Sequence, residues 1–440
     1  MDAGSNPAPK LPNRQTPPKV AAGPERPETR QAKRALLSLN FFSADQTGIG
    51  PFFGVFLVQH GWRTGLLGTV MTVGGVVGLI MTAPAGALAD RTTHKRTYVI
   101  LSSAFTIMAS MLIWASQNFW VVAGSQFAGA IAASIIGPAM LGITLGVVRQ
   151  KGFNAQNGKN QSINHAGNVA GAAISGFLGW KFGFGAVFLM GVGLGTLSIL
   201  SVLMIPRAAI DDRAGRGLRE SGQEGDQVKG LTVLLESKPL RVLALCLALF
   251  HLGNAAMLPL YGLSVVQAHK ADPALFAALV VIVAQTVMVG TALVAMRLIE
   301  IRGYWMVIMI TFVCLPIRGL LAATLTTAWG VLPVQIMDGV GAGLQGVAVS
   351  GLITRLLDGT GRVNVGQGAV GLVQGIGGTM SPLFSGWLVQ WLGYPITFVM
   401  MGSLSLVSLA IWIACAPMLK AACAATHRGE PASGDAPPCG

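Results

Sequence analysis

Four ionisable side chains lie inside long apolar stretches of this sequence: Asp45, His251, Arg318 and Asp338. A charge surrounded by lipid costs about 2.5–3.5 kcal/mol on insertion scales, so such residues usually face a cavity or a partner. A carboxylate or an imidazole at such a position can carry a proton, and an arginine can neutralise a carboxylate. These four residues are therefore the first candidates for proton or solute binding.

Their positions suggest different roles. Asp45 lies ten residues into the first apolar run and has no cation at matched depth on its own or the next run. A carboxylate without a counter-charge in a low dielectric takes up a proton readily, so Asp45 is the best proton-coupling candidate; a hydrogen-bonded structural role is the alternative. Arg318 and Asp338 share a depth on consecutive runs, which predicts either a structural ion pair or a substrate or proton site. His251 is either a proton relay or a satisfied core histidine.

The elements that hold these residues are helices long enough to cross a bilayer. The chain has 440 residues, of which 52% are hydrophobic and only 11% charged, and its mean hydropathy is +0.62. Such a chain cannot cover itself with a polar surface, which excludes a soluble enzyme and general disorder. A membrane span needs about 20 apolar residues. Twelve runs qualify: 35–58, 64–87, 98–117, 120–148, 163–183, 186–206, 241–267, 274–296, 304–325, 329–352, 366–391 and 395–418. A β-barrel would show alternating segments of about 10 residues instead, so the fold class is an all-α polytopic membrane protein.

The basic residues that give the net charge of +13 also predict which loops face the cytoplasm. If the N-terminus is cytoplasmic, 26 of the 30 Lys and Arg residues fall in cytoplasmic segments and three fall outside (Arg63, Lys181 and Lys270). Cytoplasmic loops carry this excess of basic residues, so both termini are predicted inside, in a multi-pass protein of the inner (plasma) membrane. Nucleic acid is not an expected partner. The five cysteines form no C-x-x-C pair and suggest neither a disulfide framework nor a metal site.

The spans divide into two related halves. Residues 207–240 form the only long polar interior stretch, between a predicted six-helix bundle over 35–206 and another over 241–418; residues 1–34 are predicted to be a disordered basic tail and 419–440 a cytoplasmic tail. Residues 39–59 align without gaps on 247–267 at a shift of 208, and 153–190 align on 363–400 at a shift of 210. Nearly equal shifts at two distant places indicate an internal repeat in which both halves have the same orientation.

The loop after the second span carries a motif. It reads Gly86-Ala-Leu-Ala-Asp90-Arg91-Thr-Thr-His94-Lys95-Arg96, and it resembles the G-x-L-A-D-R-x-G-R-K-R signature of the major facilitator superfamily, with Thr93 and His94 departing from it. Gly permits close helix approach and Asp90 can cap a helix or pair with an arginine, so the resemblance implies a conformational latch. Its members are Gly86, Asp90, Arg91, Lys95 and Arg96; a plain basic loop is the alternative.

A second motif lies in the fifth span and its repeat partner. The fifth span is similar to the G-x-x-x-G-P-x-x-G-G motif of drug/proton antiporters within that superfamily, and generic helix packing explains the pattern equally well. The repeat partner keeps the proline, and the fourth span lacks the arginine that many family antiporters carry. The gate and packing candidates are Gly167, Gly171, Gly176, Pro382 and Gly386, with His165 and Asn168 near the inner end of the fifth span.

The resemblance, which covers residues 35–418, implies two six-helix bundles that alternate access to a central cavity. The stretches 338–343 and 361–368 are similar to a bacterial branch of exporters. The expected function is therefore a monomeric secondary active transporter of a small drug or metabolite, working as a proton-coupled antiporter for efflux. An importer or uniporter is the alternative, and a non-transporting receptor or a lipid-modifying membrane enzyme is a remote one. No cofactor is expected, since no phosphate-binding G-x-x-x-x-G-K-[ST] loop is present. Residues that could bind substrate in the cavity are Asn40, Gln46, Gln126, Asn254 and Tyr261, with helix packing as the alternative for each.

Overall fold

The computed structural model describes residues 26–214, 235–268, 272–357 and 363–423, with side chains except at 44–51, 83, 89–91, 150–151, 154–155, 363–364 and 421–423. The described part is helical. The first half contains α1 (Pro27–Gln59), α2 (Thr64–Arg91), α3 (Lys95–Ala115), α4 (Phe119–Phe182) and α5 (Phe184–Leu203). The second half contains α6 (Lys238–Asn254), α7 (Met257–Gln267), α8 (Pro273–Thr324), α9 (Val331–Leu356), α10 (Val363–Leu392), α11 (Tyr394–Ala414) and the short α12 (Ala416–Cys423). In lipid only such internally bonded backbone is tolerated.

Two of these helices are bent into two arms. Arg149 in α4 has φ 53° and ψ 179°, and Gly303 in α8 has φ 76° and ψ 167°. At a rise of about 1.5 Å per residue, a straight helix of the length of α8 would be more than twice as long as the roughly 30 Å hydrocarbon layer is thick. Each bent helix is therefore long enough for two crossings, and Gly303 provides the turn because glycine adopts positive φ without strain.

Eight helices within the described residues are long and apolar enough to cross a membrane, counting all of α8 as one. This finding confirms a polytopic helical protein, while the number of twelve spans stays a prediction. Hydrogen bonds from side chains join the helices of the second half. Ser408 Oγ donates to the Cys246 carbonyl (2.9 Å) and Ser405 Oγ to the Phe312 carbonyl (2.8 Å). Small hydroxyl side chains of this kind are the usual polar contacts between membrane helices.

The internal repeat is visible in the backbone. Gly183, between α4 and α5, has φ 80° and ψ 173°, and Gly393, between α10 and α11, has φ 79° and ψ 170°. The two glycines are 210 positions apart, the shift found in the sequence. The same turn joins the last two spans of each half, as a duplicated chain requires.

The contacts between the halves occur at positions that are related by the same shift of 210 residues. A Cβ added to Gly386 on α10 would lie 3.3 Å from Gly68 Cα on α2, and one added to Gly176 on α4 would overlap Ala278 Cβ on α8. Gly68 and Ala278 are 210 positions apart, as are Gly176 and Gly386. The predicted small residues thus permit close helix packing, and the helices that they bring together belong to different halves. The two contacts are equivalent under a pseudo-two-fold axis that relates the halves.

The closest contacts between the two halves lie at one end of the bundle. We call the end with residues 59–64, 267–268 and 272–273 the distal end, and the end with the first turns of α1 and the last turn of α11 the proximal end. At the distal end Trp387 Nε1 donates to Thr69 Oγ1 (3.2 Å), and Thr72 Oγ1 donates to the Thr379 carbonyl (3.0 Å). Glycines farther along these helices are open: a Cβ on Gly78, Gly86, Gly158, Gly290, Gly368 or Gly371 would meet no described atom within 4 Å. The halves are packed together distally and the interface is loose proximally.

The first helix begins earlier than the first apolar run. Helix α1 starts at Pro27, a favoured first helical residue, whereas residues 27–34 were expected to belong to a disordered tail. A charged segment can continue a helix out of the membrane when that helix is already nucleated, since Arg, Lys, Gln and Ala are good helix formers. Residues 1–25 lie outside the described residues.

Candidate functional site

The buried ion pair is the centre of the site. Arg318 Nη1, on the second arm of α8, lies 2.8 Å from Asp338 Oδ1 on α9, and the two side chains are 1% and 12% exposed. The pairing expected from their matched depth is therefore present. Both residues lie roughly 10 Å from the helix ends that face the distal loop, at about 1.5 Å per residue, which places them within the membrane.

Two amides extend this pair into a network. Arg318 Nη1 also donates to Asn254 Oδ1 (2.7 Å), and Arg318 Nη2 donates to Gln335 Oε1 (3.2 Å). Gln335 is fully buried on α9. The guanidinium therefore ties α8 to α9 and to the end of α6. Charge-assisted hydrogen bonds of this kind are roughly twice as strong as neutral ones.

A break in a helix brings Asn254 to Arg318. Helix α6 ends at Asn254 and α7 begins at Met257, so the seventh predicted span is discontinuous. The Ala256 N–H, which the break releases from the helix ladder, donates to Ser381 Oγ on α10 (3.0 Å). Discontinuous helices mark the binding sites of many transporters, because their free ends carry polar groups into the membrane.

The network has unused donors. Arg318 Nε and Gln335 Nε2 are buried and have no hydrogen-bond partner among the described residues. An unsatisfied buried donor costs about 1–3 kcal/mol. Both donors therefore raise the free energy of this conformation.

His251 lies one helical turn before Asn254. Its Nδ1 is 2.9 Å from the Leu247 carbonyl oxygen, so that nitrogen carries the proton. Its Nε2 is 3.0 Å from Gln374 Nε2 and accepts from that amide. Both ring nitrogens are thus bonded in the neutral imidazole, which fits the hydrogen-bonded core histidine, the alternative to a relay.

A second polar group connects the two halves. His165 Nδ1 on α4 lies 3.1 Å from Gln285 Oε1 on α8. Asn164 Nδ2 donates to the Asn40 carbonyl (3.2 Å) and Asn168 Nδ2 to Asn164 Oδ1 (3.4 Å). These residues are half-buried, apart from buried Asn40. We call the following set the amide belt: Asn40, Asn164, His165, Asn168, His251, Gln285 and Gln374.

The remaining cavity candidates occupy different surroundings. Tyr261 is fully buried, and its hydroxyl donates to the Leu325 carbonyl at the distal end (2.6 Å). Gln126 lies against α2, with its Oε1 3.5 Å from a Cβ built on Gly74. The side chains of Asp45 and Gln46 lie outside the described residues, although the backbone there is helical.

One residue of the predicted latch, Arg96, joins two helices of the first half. Arg96 Nε and Nη2 donate to the Val202 and Leu203 carbonyls (3.3 and 2.9 Å) at the end of α5, where a cation also favours the helix dipole. Lys95 is 2% exposed and its Nζ donates to the Thr92 carbonyl (2.9 Å). The side chains of Asp90 and Arg91 lie outside the described residues.

The close approach expected at Gly86 is absent from this conformation. A Cβ on Gly86 would meet no described atom within 4 Å. Gly86 lies at the proximal end, beyond the close contacts that the described residues make between the halves. Gly167 and Gly171 of the other motif are buried, and the Pro382 carbonyl oxygen lies where a Cβ on Gly68 would be.

We expect Arg96→Gln to lower the free energy of unfolding by about 1 kcal/mol, because it removes a cation from the C-terminal end of a helix. Thermal unfolding of the purified protein in detergent measures this. Arg207→Gln removes a nearby cation for which no hydrogen bond to α5 is recorded, and it should have a smaller effect. An equal loss in both variants would argue against the contact with α5.

Sequence reasoning missed Gln335, Gln374 and Gln285. Gln335 precedes Asp338 by three residues on α9 and so lies on the same helix face, a signal that could have identified it. Gln374 is the repeat partner of Asn164 at the shift of 210. Nothing in the sequence pairs Gln285 with His165, since that contact joins the two halves.

Comparisons with known proteins agree with this architecture. The profile of the Major Facilitator Superfamily matches residues 35–365. An uncharacterized MFS-type transporter of Mycobacterium tuberculosis is 33% identical over 387 residues, which cover 87% of this chain and 93% of the relative. The riboflavin transporter RibZ of Clostridioides difficile is 26% identical over 129 residues, or 29% of this chain and 28% of its own length.

A solved structure has the same fold. The crystal structure of the nucleoside transporter NupG superposes with a TM-score of 0.74 at 14% identity, and the match covers 88% of this chain and 99% of NupG. The profile match spans most of the chain. The Mycobacterium tuberculosis relative, whose alignment covers 87% of this chain, is also named an MFS-type transporter. The chain belongs to the Major Facilitator Superfamily of membrane transporters.

Proposed function

We propose that this protein is a proton-coupled exporter of a small, uncharged polar organic solute, which binds between the two halves and crosses by alternating access. The observation that carries the proposal is the Arg318–Asp338 pair, buried within the membrane and bonded to the broken span at Asn254. Charged groups in such positions in membrane proteins are costly, and they commonly belong to substrate or ion pathways.

The composition of the amide belt supports an uncharged solute. Its side chains are amides and two histidines, which can donate and accept hydrogen bonds without carrying a fixed charge. Neutral heterocycles rich in such groups would match them. RibZ and NupG are named as transporters of riboflavin and of nucleosides, so these two classes are rational first probes.

Asp338 is the residue that we propose to take up the proton. Protonation would remove the negative partner of Arg318 and weaken its charge-assisted bond. Arg318 also holds Asn254, so the change would reach the break between α6 and α7. Coupling of this kind needs an element with two arrangements that the proton biases. Asp45 is the second proton candidate, on the basis of its sequence position.

The charge distribution supports an orientation. With both termini and the 207–240 linker in the cytoplasm, the proximal end faces inward, and the loose proximal interface would admit solute from the cytoplasm. Export would then begin from the described conformation. The two six-helix bundles, 35–206 and 241–418, would rock against each other as a monomer in the inner membrane.

Reconstituted flux tests the proposal. Proteoliposomes that contain the full chain are assayed for riboflavin and uridine flux with and without an imposed pH gradient. We expect the gradient to drive net flux, and we expect Asp338→Asn to retain solute exchange at equal pH but to lose the gradient response. Asp211→Asn is the matched control, since it removes the same charge from the exposed pair with Arg149 at the proximal end.

The alternatives give different results. If Asp45→Asn rather than Asp338→Asn abolishes the pH response, the proton site is on α1. A gradient-independent flux would favour a uniporter, and inward accumulation driven by protons entering with the solute would favour an importer. Binding without flux, measured as ligand-dependent thermal stabilisation, would favour a receptor.

A further inference from the structure

A surface cavity lies at the proximal end, beside the first turns of α1. It has a volume of about 480 Å³, and its lining includes Arg30, Gln31, Arg34, Ser38 and Met204. None of these residues belongs to the ion-pair network or the amide belt. The cavity is therefore a feature separate from the proposed transport site.

One wall of the cavity is formed by a single face of α1. Arg30, Arg34 and Ser38 are spaced four residues apart on α1, so their side chains follow one another on one face. Gln31 on the neighbouring stripe donates from Nε2 to the Met204 carbonyl (3.1 Å), which fixes α1 to the end of α5. The floor of the cavity is thus a helix–helix contact.

Neither arginine has a counter-charge among the described residues. No ion pair or side-chain hydrogen bond of Arg30 or Arg34 is recorded with any described residue. The last carbonyls of α5 are already bonded to Arg96 and Gln31. Glu28, the acidic residue in the first turn of α1, is two positions from Arg30 and so points to the opposite side of the helix. Two exposed guanidiniums therefore share one concave surface, and together they favour an anion.

The position of the cavity along the membrane normal indicates which kind of anion would bind there. The apolar part of α1 begins at Ala35, and the polar headgroup layer extends about 5–7 Å beyond the hydrocarbon on each side. At about 1.5 Å per residue, Arg34 and Arg30 lie within that layer. Leu203 and Met204 at the end of α5 are 52% and 58% exposed. Apolar surface for an acyl chain thus adjoins cationic surface for a headgroup.

We propose that this cavity binds the phosphate of an anionic phospholipid. Guanidinium groups bind phosphate oxygens through two parallel hydrogen bonds, and the Ser38 hydroxyl can donate a further one. The bound lipid would join the first turns of α1 to α5, and so would stabilise the proximal end of the first half.

Native mass spectrometry of the intact protein tests this proposal. The purified full chain is titrated with phosphatidylglycerol, phosphatidylcholine or inorganic phosphate, and thermal stability is recorded for each mixture. We expect phosphatidylglycerol to bind and to raise the melting temperature. Arg30→Gln/Arg34→Gln should weaken this binding about tenfold or more, since both phosphate contacts are removed.

The control variant is Arg26→Gln/Arg213→Gln, which removes the same charge from exposed residues of this end that do not line the cavity. It should bind phosphatidylglycerol as the unmodified chain does. Equal weakening in both variants would show that net charge alone attracts the lipid and would overturn the site. Equal stabilisation by phosphatidylcholine or by inorganic phosphate would overturn the assignment to an anionic lipid.

Discussion

Replacing Asp338 with alanine is expected to lower the free energy of unfolding by about 3–5 kcal/mol, because it leaves the Arg318 guanidinium buried without its counter-charge. Arg318 is 1% exposed and cannot reach water without moving its helix. Asn254 and Gln335 would still accept its hydrogen bonds, but neutral amides do not cancel the charge. Thermal or chemical unfolding in detergent measures the loss.

The double variant Arg318→Met/Asp338→Ala separates stability from transport. Removal of both charges leaves no uncompensated ion, so we expect it to regain most of the stability, as buried pairs replaced by apolar residues often do. The response of solute flux to a pH gradient should stay lost, since the titratable carboxylate is gone. If the double variant transports with a normal pH response, the pair is structural and proton coupling lies elsewhere. If it is less stable than the single variant, charge compensation does not explain the pair.

Gly386→Ala is expected to open the distal contact between the halves. A Cβ at this position would lie 2.5 Å from the Thr64 carbonyl oxygen on α2, so α2 and α10 must separate. Overpacking of this kind costs about 1–3 kcal/mol. This cost falls only on the conformation in which the halves touch distally, and it therefore shifts the ratio of the two conformations by roughly 5- to 150-fold.

Cysteine labelling measures this shift. Thr379→Cys places a thiol between α2 and α10, where the Thr379 side chain contacts the surface of Gly75. We expect the thiol to react faster with a water-soluble maleimide in the Gly386→Ala background, and solute flux to fall. Gly371→Ala is the matched control on the same helix, because a Cβ there would meet no described atom within 4 Å. Unchanged labelling after Gly386→Ala would show that the distal contact can absorb the methyl group.

Much of the fold is encoded locally and was predictable. Apolar runs of about 20 residues fix which segments form membrane helices, since the bilayer leaves the backbone no other partner. The repeat, found at shifts of 208 and 210, anticipated the equal conformations of Gly183 and Gly393. Arg318 and Asp338 could be paired from the sequence because each lies a similar number of residues from the loop that joins their two spans. The constant rise per residue of a helix then places the two side chains at the same depth in the membrane.

Contacts between distant segments were not predictable in this way. Asn254 reaches Arg318 because α6 stops where it does. Pro259, which cannot donate a hydrogen bond to the Ala255 carbonyl, marks that break in the sequence, but nothing in the sequence shows which side chain Asn254 then meets. Gln285 meets His165 across the halves at a separation of 120 positions. Helical periodicity identifies the face of a helix and leaves open which helix covers that face.

Hydropathy and residue spacing depend only on local composition, and they are enough to identify a duplicated bundle of membrane helices with few charges inside. Which of those charges meet depends on how the helices pack, and so does the contact of the small residues of the fifth span and its repeat with the other half. The packing also brings the halves together distally and leaves them apart near Gly86. The same hydrophobic pattern is compatible with a second packing of these helices, because two such conformations differ by only a few kcal/mol.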